Sequence, residues 1–304
     1  MKLKSIMVVA GEISGDIHAA KLLKAVKRKQ PDILFFGIGG SELRKLGMEI
    51  LYDTKDMAVL GFTEVLRKYF FFRTVFRHML AVAKERKPDA VLLVDYPGFN
   101  MRFATYVHAL GLKIIYYICP QVWAWHRSRI FKMAQTVDRL ITIFPFEKDF
   151  FRNTSLPVDF VGHPLIAKTS ELLAAPEINL PWTGSPHVAL LPGSRYQEVK
   201  RILPVMCNAA YFVQQKFPAA SFIVAVPSDE IRAYAQTVLA HTEAGKVDLQ
   251  VITDETLHVL RQAHAAIVAS GTATLEAALM RCPVVITYKV SFPTYPNPSS
   301  FKAW

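Results

Sequence analysis

Four stretches of this 304-residue chain place reactive or ligand-binding residue types where an apolar run gives way to a helical pattern. The first is Ala10-Gly11-Glu12-Ile13-Ser14-Gly15-Asp16. Glycines at such a turn let a ligand come close to the backbone, and the helix N-terminus favours an anion. The turn is not G-x-G-x-x-G, however, and Glu12 and Asp16 would repel a pyrophosphate. Their carboxylates accept hydrogen bonds, which suits a polyhydroxyl ligand such as a sugar; the plainer alternative is that Ser14 or Asp16 caps the helix. The turn Phe36-Gly37-Ile38-Gly39-Gly40-Ser41 is similar and weak by itself. The second stretch is Val94-Asp95-Tyr96-Pro97-Gly98-Phe99-Asn100. A carboxylate at the C-terminal end of a buried parallel strand lies on the ligand side of the sheet, where desolvation raises its pKa towards that of a useful general base. A turn-forming Asp before Pro-Gly is the plainer alternative.

The third stretch, Leu190-Leu191-Pro192-Gly193-Ser194-Arg195-Tyr196-Gln197-Glu198, offers backbone N–H groups and an arginine to a diphosphate. The fourth, Ala269-Ser270-Gly271-Thr272-Ala273-Thr274-Leu275-Glu276, has small residues that leave a helix N-terminus uncovered. Glu276, one turn in, suits hydrogen bonding to ribose hydroxyls. Ordinary capping explains either turn alone, but two at one sheet edge strengthen each other. Between the two pairs lies Tyr116-Tyr117-Ile118-Cys119-Pro120-Gln121-Val122-Trp123-Ala124-Trp125, whose tryptophans can wall a sugar or an acyl chain or simply join a core. His126, Arg127 and Arg129 add positive charge beyond it.

These turns need a sheet to position them. Apolar, β-branched runs at Ser5–Ala10, Ile33–Ile38, Ala90–Val94, Lys113–Ile118, Arg139–Ile143, Val188–Leu191, Ser221–Ala225, Ala265–Val268 and Val284–Tyr288 read as strands. Helical patterns lie between them, as at His18–Lys29, Asn100–Leu110, Glu198–Phe217 and Ser228–Leu239. Strand–helix alternation with continuously apolar strands predicts an α/β protein with two Rossmann-like parallel-sheet domains facing a cleft, ligands binding beyond the carboxyl ends of the strands. Residues 1–163 form the first expected domain and 187–304 the second. The Pro- and Gly-bearing stretch 164–186 is expected to connect them.

Composition narrows the classes. The net charge is +11, and 52% of residues are hydrophobic, enough for large cores. Residues 1–163 hold 25 Lys/Arg against 15 Asp/Glu, whereas 164–304 hold 11 against 10, so the basic character belongs to the first half. Part of it concentrates in 64–87, where Arg67, Lys68, Arg73, Arg77, Lys84, Arg86 and Lys87 outweigh Glu64 and Glu85. Leu66, Tyr69, Phe70 and Phe76 share one helical face there, while Phe71 and Phe72 widen it beyond a core-facing stripe. Basic, aromatic and broadly apolar is the composition of a helix lying on an anionic membrane surface, though a helix buried under the sheet is the competing reading. No nucleic-acid-binding motif accompanies the charge, so no nucleic-acid partner is expected. Cys119, Cys207 and Cys282 show no paired spacing, which argues against a disulfide scaffold and for a reducing compartment. Neither a signal peptide nor a membrane span is expected, which reads as cytoplasmic. H-E-x-x-H, the Walker A lysine motif and G-x-S-x-G are all missing, and His18, His78, His108 and His163 show no metal-ligand spacing. No catalytic metal and no cofactor are expected.

Seven motifs in order resemble one glycosyltransferase family of the GT-B type, lipid-A-disaccharide synthase. They are Ala10-Gly11-Glu12-x-Ser14-Gly15-Asp16, Asp95-x-Pro97-x-Phe99-Asn100, Pro120-x-Val122-Trp123-Ala124-Trp125, Pro145-Phe146-Glu147, Gly162-His163-Pro164, Leu191-Pro192-Gly193-Ser194-Arg195 and Ser270-Gly271-Thr272-Ala273-Thr274-Leu275-Glu276. The resemblance runs from about Met7 to about Thr294. It implies inverting transfer of 2,3-diacylglucosamine from its UDP derivative to 2,3-diacylglucosamine 1-phosphate, releasing UDP and forming the β-1,6-linked tetra-acyl disaccharide 1-phosphate of lipid A. Asp95 would then be the general base on the acceptor 6-hydroxyl, with Glu12 assisting. Gly11, Ser14, Asp16, Asn100 and Trp123 would form the acceptor side. Arg195 would hold the diphosphate and stabilise the leaving group, with Gly193, Ser194, Gly271, Thr272, Thr274 and Glu276 around UDP. Leu66, Tyr69, Phe70, Phe71, Phe72 and Arg73 would dock at the cytoplasmic face of the inner membrane as a peripheral attachment. Ser291–Tyr295 still fits the family, whereas Pro296–Trp304 departs from it. Family chains continue through further UDP-binding residues and C-terminal helices, so an incomplete donor site with impaired turnover is the expectation.

Two other readings compete. A UDP-N-acetylglucosamine 2-epimerase-like enzyme shares the architecture but needs no membrane helix, and a non-catalytic membrane-binding remnant needs no Asp95. The motifs are compatible with a homodimer.

Overall fold

The structure, a computed structural model, describes residues 3–57, 65–122, 128–241 and 247–289, with the side chains of 65–69 outside that description. The chain divides into two compact units, Met1–Pro164 and Leu165–Trp304. In the first unit seven strands run β1 Ser5–Ala10, β2 Leu34–Gly39, β3 Glu49–Asp53, β4 Ala90–Val94, β5 Ile114–Tyr117, β6 Arg139–Thr142 and β7 Val158–Phe160. They pair in parallel in the order β3-β2-β1-β4-β5-β6-β7. The helices are α1 Ile13–Lys29, α2 Ser41–Lys45, α3 Thr54–Met57, α4 Val65–Arg86, α5 Pro97–Ala109, α6 Ser128–Thr136 and α7 Glu147–Phe150.

Period-two alternation sends successive side chains of β1 and β4 into two different cores. Met7, Val9, Val91 and Leu93 pack under α4 and α5 with Met79, Phe103 and Val107, whereas Ile6, Val8, Leu92 and Val94 pack under α1 with Ala19 and Leu23. Both faces being covered is why these strands read as unbroken apolar runs. Truncating a fully buried residue such as Leu93 to Ala would cost roughly 2–5 kcal/mol.

The second unit repeats the plan with β8 His187–Leu191, β9 Ser221–Val226, β10 Leu249–Thr253, β11 Ala265–Ala269 and β12 Val284–Thr287, in the parallel order β10-β9-β8-β11-β12. Its helices are α8 Pro164–Ala174, α9 Tyr196–Lys216, α10 Asp229–Ala240, α11 Thr256–Gln262 and α12 Thr272–Leu279. Val199, Leu203 and Met206 of α9 cover one sheet face, and Leu257, Leu260 and Ala277 of α11 and α12 cover the other. The protein is thus built from two doubly wound α/β sheets.

Three strands were not anticipated: β3, β7 and β10. The stretch expected as a mere connection also proves structured. Residues 164–174 form α8, and the Arg261 guanidinium donates to the carbonyls of Leu172 (2.7 Å) and Ala175 (2.8 Å). Trp182 stacks on His187 with centroids 4.3 Å apart. A Pro-rich composition marks chain that cannot run on as one regular element; it does not prevent that chain from packing.

Candidate active site

Each sheet has one switch point, where the chain reverses its direction of build, and doubly wound folds bind ligands there. In the first unit it falls between β1 and β4, paired with Ala10 opposite Val94. The next residues are therefore Gly11-Glu12 on one strand and Asp95-Tyr96 on the other. Asp95 and Tyr96 hold positive φ angles of 45° and 48°, a left-handed turn that throws the Asp95 carboxyl off the line of its strand. The Tyr96 ring lies against Gly11 so closely that a Cβ there would overlap it. Glycine is required at position 11 for space.

Asp95 has its pKa raised to about 6, first because it is largely buried and second because the Glu12 charge opposes its ionisation. A hydrogen bond from the Tyr96 N–H works the other way. Such a carboxyl is mostly ionised at neutral pH yet far more basic than an ordinary aspartate, as proton abstraction from a hydroxyl requires. Glu12 is exposed, as is Ser14 at the start of α1.

Two residues expected on the acceptor side do something else. Asp16 is 2% exposed, and its carboxylate accepts the backbone N–H groups of Gly40 (2.7 Å), Glu42 (2.9 Å) and Leu43 (3.2 Å). It caps α2 and ties the turn after β2 to α1, leaving no free face for a sugar. Asn100 is fully buried, and its Nδ2 donates to the carbonyls of Val9 (3.3 Å), Val94 (3.2 Å) and Asp95 (2.8 Å). The buried Tyr116 hydroxyl donates to the Asp95 carbonyl at 2.7 Å. Asn100 and Tyr116 are positioning residues that clamp the backbone from which the Asp95 carboxyl projects.

The same edge carries groups the sequence reading set aside. Burial, with the charges of Lys21 and His163, lowers the His18 pKa to about 4, and burial also lowers that of His163. The His18 imidazole is therefore neutral at physiological pH. The resemblance pointed to His163 through Gly162-His163-Pro164, but nothing local marked His18. The buried Glu147 carboxylate accepts the N–H groups of Ile143 (3.2 Å) and Phe144 (3.0 Å), closing the turn after β6.

In the second unit the switch point lies between β8 and β11. Gly193 holds φ +113°, and a Cβ there would strike the Glu198 side chain. Glu198 Oε2 accepts the N–H groups of Ser194 (3.0 Å) and Arg195 (3.2 Å), the reach-back half of a capping box. The N–H groups expected to cradle a diphosphate are thus held by a carboxylate. The Arg195 guanidinium meets Glu198 only at 3.4 Å with its side chain 75% exposed, a contact worth about 0–1 kcal/mol that an incoming phosphate can replace. On β11's side, an added Cβ at Gly271 would meet nothing within 4 Å. Thr274 Oγ1 donates to the Gly271 carbonyl at 2.7 Å, and Thr272 is exposed. Burial raises the Glu276 pKa while Lys168 opposes the shift.

The first switch point thus carries a carboxylate of raised pKa, and the second an arginine with glycine-rich turns. Residues 6–296 match the family model described as lipid-A-disaccharide synthetase. The chain belongs to the lipid-A-disaccharide synthase family. It is 40% identical over 299 residues to lipid-A-disaccharide synthase 1 of Legionella pneumophila, covering 95% of this chain and 76% of that one. It is 38% identical to the synthase of Geobacter metallireducens, covering 96% and 76%. Family membership makes this chain a glycosyltransferase of lipid A disaccharide synthesis. Solved structures share its fold at low identity. UDP-GlcNAc 2-epimerase from Neisseria meningitidis, bound to UDP-GlcNAc, aligns with a TM-score of 0.60 at 15% identity over 94% of this chain and 82% of that one. The calicheamicin glycosyltransferase aligns at 0.57 with 13% identity over 94% and 80%. These likenesses concern architecture alone.

Among the expected membrane-docking residues of this synthase, Phe70 and Arg73 are exposed on α4. Phe71 and Phe72 are half-buried against the core, with Phe71 edge-on to Tyr52 at 6.3 Å. Leu66 and Tyr69 lie on the α4 backbone, their side chains outside the described residues. Trp123 and Trp125, and the segment from Ser291 to Trp304, also lie outside them. Among the described residues no helix is long and apolar enough to cross a membrane.

Proposed function

We propose that this synthase transfers 2,3-diacylglucosamine from its UDP derivative to the 6-hydroxyl of 2,3-diacylglucosamine 1-phosphate with inversion and without a metal ion. The observation that carries the reading is Asp95, a half-buried carboxyl whose pKa desolvation and the neighbouring Glu12 raise at the first switch point. Asp95 takes the proton from the acceptor 6-hydroxyl as its oxygen attacks the anomeric carbon. The bond to the UDP oxygen breaks on the opposite face, and the product carries the β configuration. Glu12 keeps Asp95 basic and accepts hydrogen bonds from the acceptor, with Gly11 and Ser14 beside it.

Arg195 supplies the positive charge against which the UDP diphosphate departs, the task a metal performs in other transferases. It leaves Glu198 to do so, and Gly193, Ser194, Gly271, Thr272 and Thr274 surround the phosphates while Glu276 accepts ribose hydroxyls. Exposed Phe70 and Arg73 on α4 hold the first domain, residues 1–163, to the cytoplasmic face of the inner membrane, where acylated substrates reside.

The test is a transfer assay with both acylated substrates. The expected outcome is a β-1,6-linked disaccharide 1-phosphate, identified by the anomeric proton coupling, at a rate unchanged by EDTA. An α-linked product defeats inversion, and loss of rate in EDTA defeats the metal-free mechanism.

A further inference from the structure

The groove between α4 and α5 shares Phe72 and Arg73 with the expected membrane-docking face, and the rest of its lining takes no part in the residues placed around the sugar and UDP. It encloses about 540 Å³ between walls that include Phe76, Leu80, Phe99 and Tyr106, within the roughly 300–1,000 Å³ of small-molecule sites. Arg73, Arg77 and Arg102 also line it, and among the described residues no Asp or Glu does. All three arginines are exposed. None of them makes an ion pair or hydrogen bond among the described residues. An aromatic trough with three unneutralised guanidinium groups at its rim fits one ligand chemistry, an acyl chain whose headgroup carries phosphate. The chain removes the aromatic walls from water, and the planar guanidinium pairs with phosphate oxygens. A neutral amphiphile would leave the cationic rim unmatched, and free phosphate would leave the walls wet.

Position sharpens the assignment. Tyr96 lines the groove, directly follows Asp95 and lays its ring against Gly11, so it is the shared wall between groove and carboxylate edge. We propose that this groove holds one acyl chain of the phosphate-bearing acylated-sugar acceptor, with the acceptor phosphate at Arg73, Arg77 and Arg102. This rests on the acceptor side having been assigned to the first unit. An acceptor anchored there presents its sugar towards Asp95.

Gly98 provides a clean probe. It lines the groove in the first turn of α5, and an added Cβ meets nothing within 4 Å, so Gly98→Leu narrows the groove without disturbing the backbone. Dodecyl phosphate below its critical micelle concentration is titrated into the full chain by calorimetry, beside dodecyl maltoside and inorganic phosphate. Dodecyl phosphate should bind at least about tenfold more tightly than either. Gly98→Leu and the double variant Arg77→Gln/Arg102→Gln should each weaken it by a similar factor while UDP affinity stays unchanged. Equal affinity in Gly98→Leu, or equal binding of dodecyl maltoside, overturns the proposal. So does loss of anionic-vesicle binding in both variants with dodecyl phosphate unaffected, which would make the groove a bilayer-resting surface. In the transfer assay, Gly98→Leu should raise the acceptor KM with kcat retained, and an unchanged KM removes the acceptor as occupant. A wild-type chain without turnover that still gives the calorimetric pattern defeats the catalytic reading and leaves the groove's chemistry supported.

Discussion

The carboxyl edges of the two sheets share a topology and differ in chemistry. Beyond β1 and β4 stand two carboxylates, Glu12 and Asp95, and burial makes one of them reluctant to ionise. Beyond β8 and β11 stand glycine, serine and threonine turns with an exposed arginine, and the nearest carboxylate, Glu198, is spent on backbone N–H groups. A parallel sheet with paired switch-point strands supplies only a place where loops converge. The loop residues then decide whether that place raises the proton affinity of a base or draws an anion.

The contrast is best broken by changing each side alone. Asp95→Ala should lower turnover by roughly 10²–10⁴-fold with UDP affinity unchanged by calorimetry; a wild-type rate would remove Asp95 from the mechanism. On the other side, Arg195→Ala should lower kcat by roughly 10²–10³-fold and weaken UDP binding as well. If UDP binding and kcat were both retained, the second edge would not be electrostatic in character.

Phe70→Asp should weaken co-sedimentation with anionic vesicles by at least about tenfold, since an exposed aromatic buried in the interface contributes about 1.5–3 kcal/mol. Unaltered sedimentation would take α4 off the membrane. Asp95→Asn should raise stability towards urea by up to about 2–3 kcal/mol at pH 8, because it removes a desolvated charge while tolerating positive φ. The sign follows from a folded pKa near 6 against 3.8. The wild-type protein carries this penalty above both values and loses it as pH falls through them, so the two proteins should converge near pH 3.5. A constant gap at all pH values would show that the gain is not electrostatic. The smallest effect belongs to Glu12→Gln, which should shift the acid limb of the pH–rate profile downward from about 6 and change the rate at pH 7.5 by less than about threefold. An upward shift would mean that Glu12 does not oppose the ionisation of Asp95.

Much of the fold was legible because central parallel strands are apolar on both faces. The expected runs Ser5–Ala10 and Ala90–Val94 coincide with β1 and β4 to the residue. The strands that escaped, β3, β7 and β10, all lie at sheet edges. Edge strands are short and half-exposed, so charged and polar residues interrupt them, as in Glu49–Asp53 and Val158–Phe160, and no apolar run betrays them. The site divided in a similar way. Asp95 was singled out by its place directly after a buried strand, and only the fold set it close enough to Glu12 for that charge to raise its pKa. Asp16 and Asn100 show that residue type is blind to partners: a carboxylate that binds a sugar and one that caps a neighbouring helix look alike until the turn at Gly40 is placed against α1.

The one-dimensional pattern determined the two α/β units, the glycine turns at their strand ends and, through seven ordered motifs, the family. It did so because strand alternation and close backbone approach impose residue types at fixed spacing. Tertiary structure alone decided which polar groups are free. It tied Asp16 and Asn100 to backbone partners, lowered the pKa of His18 chiefly by burying it, and set three arginines, unpaired among the described residues, around an aromatic groove between α4 and α5. Burial, and the electric field it amplifies, depends on distances between residues remote in sequence, and folding sets those distances.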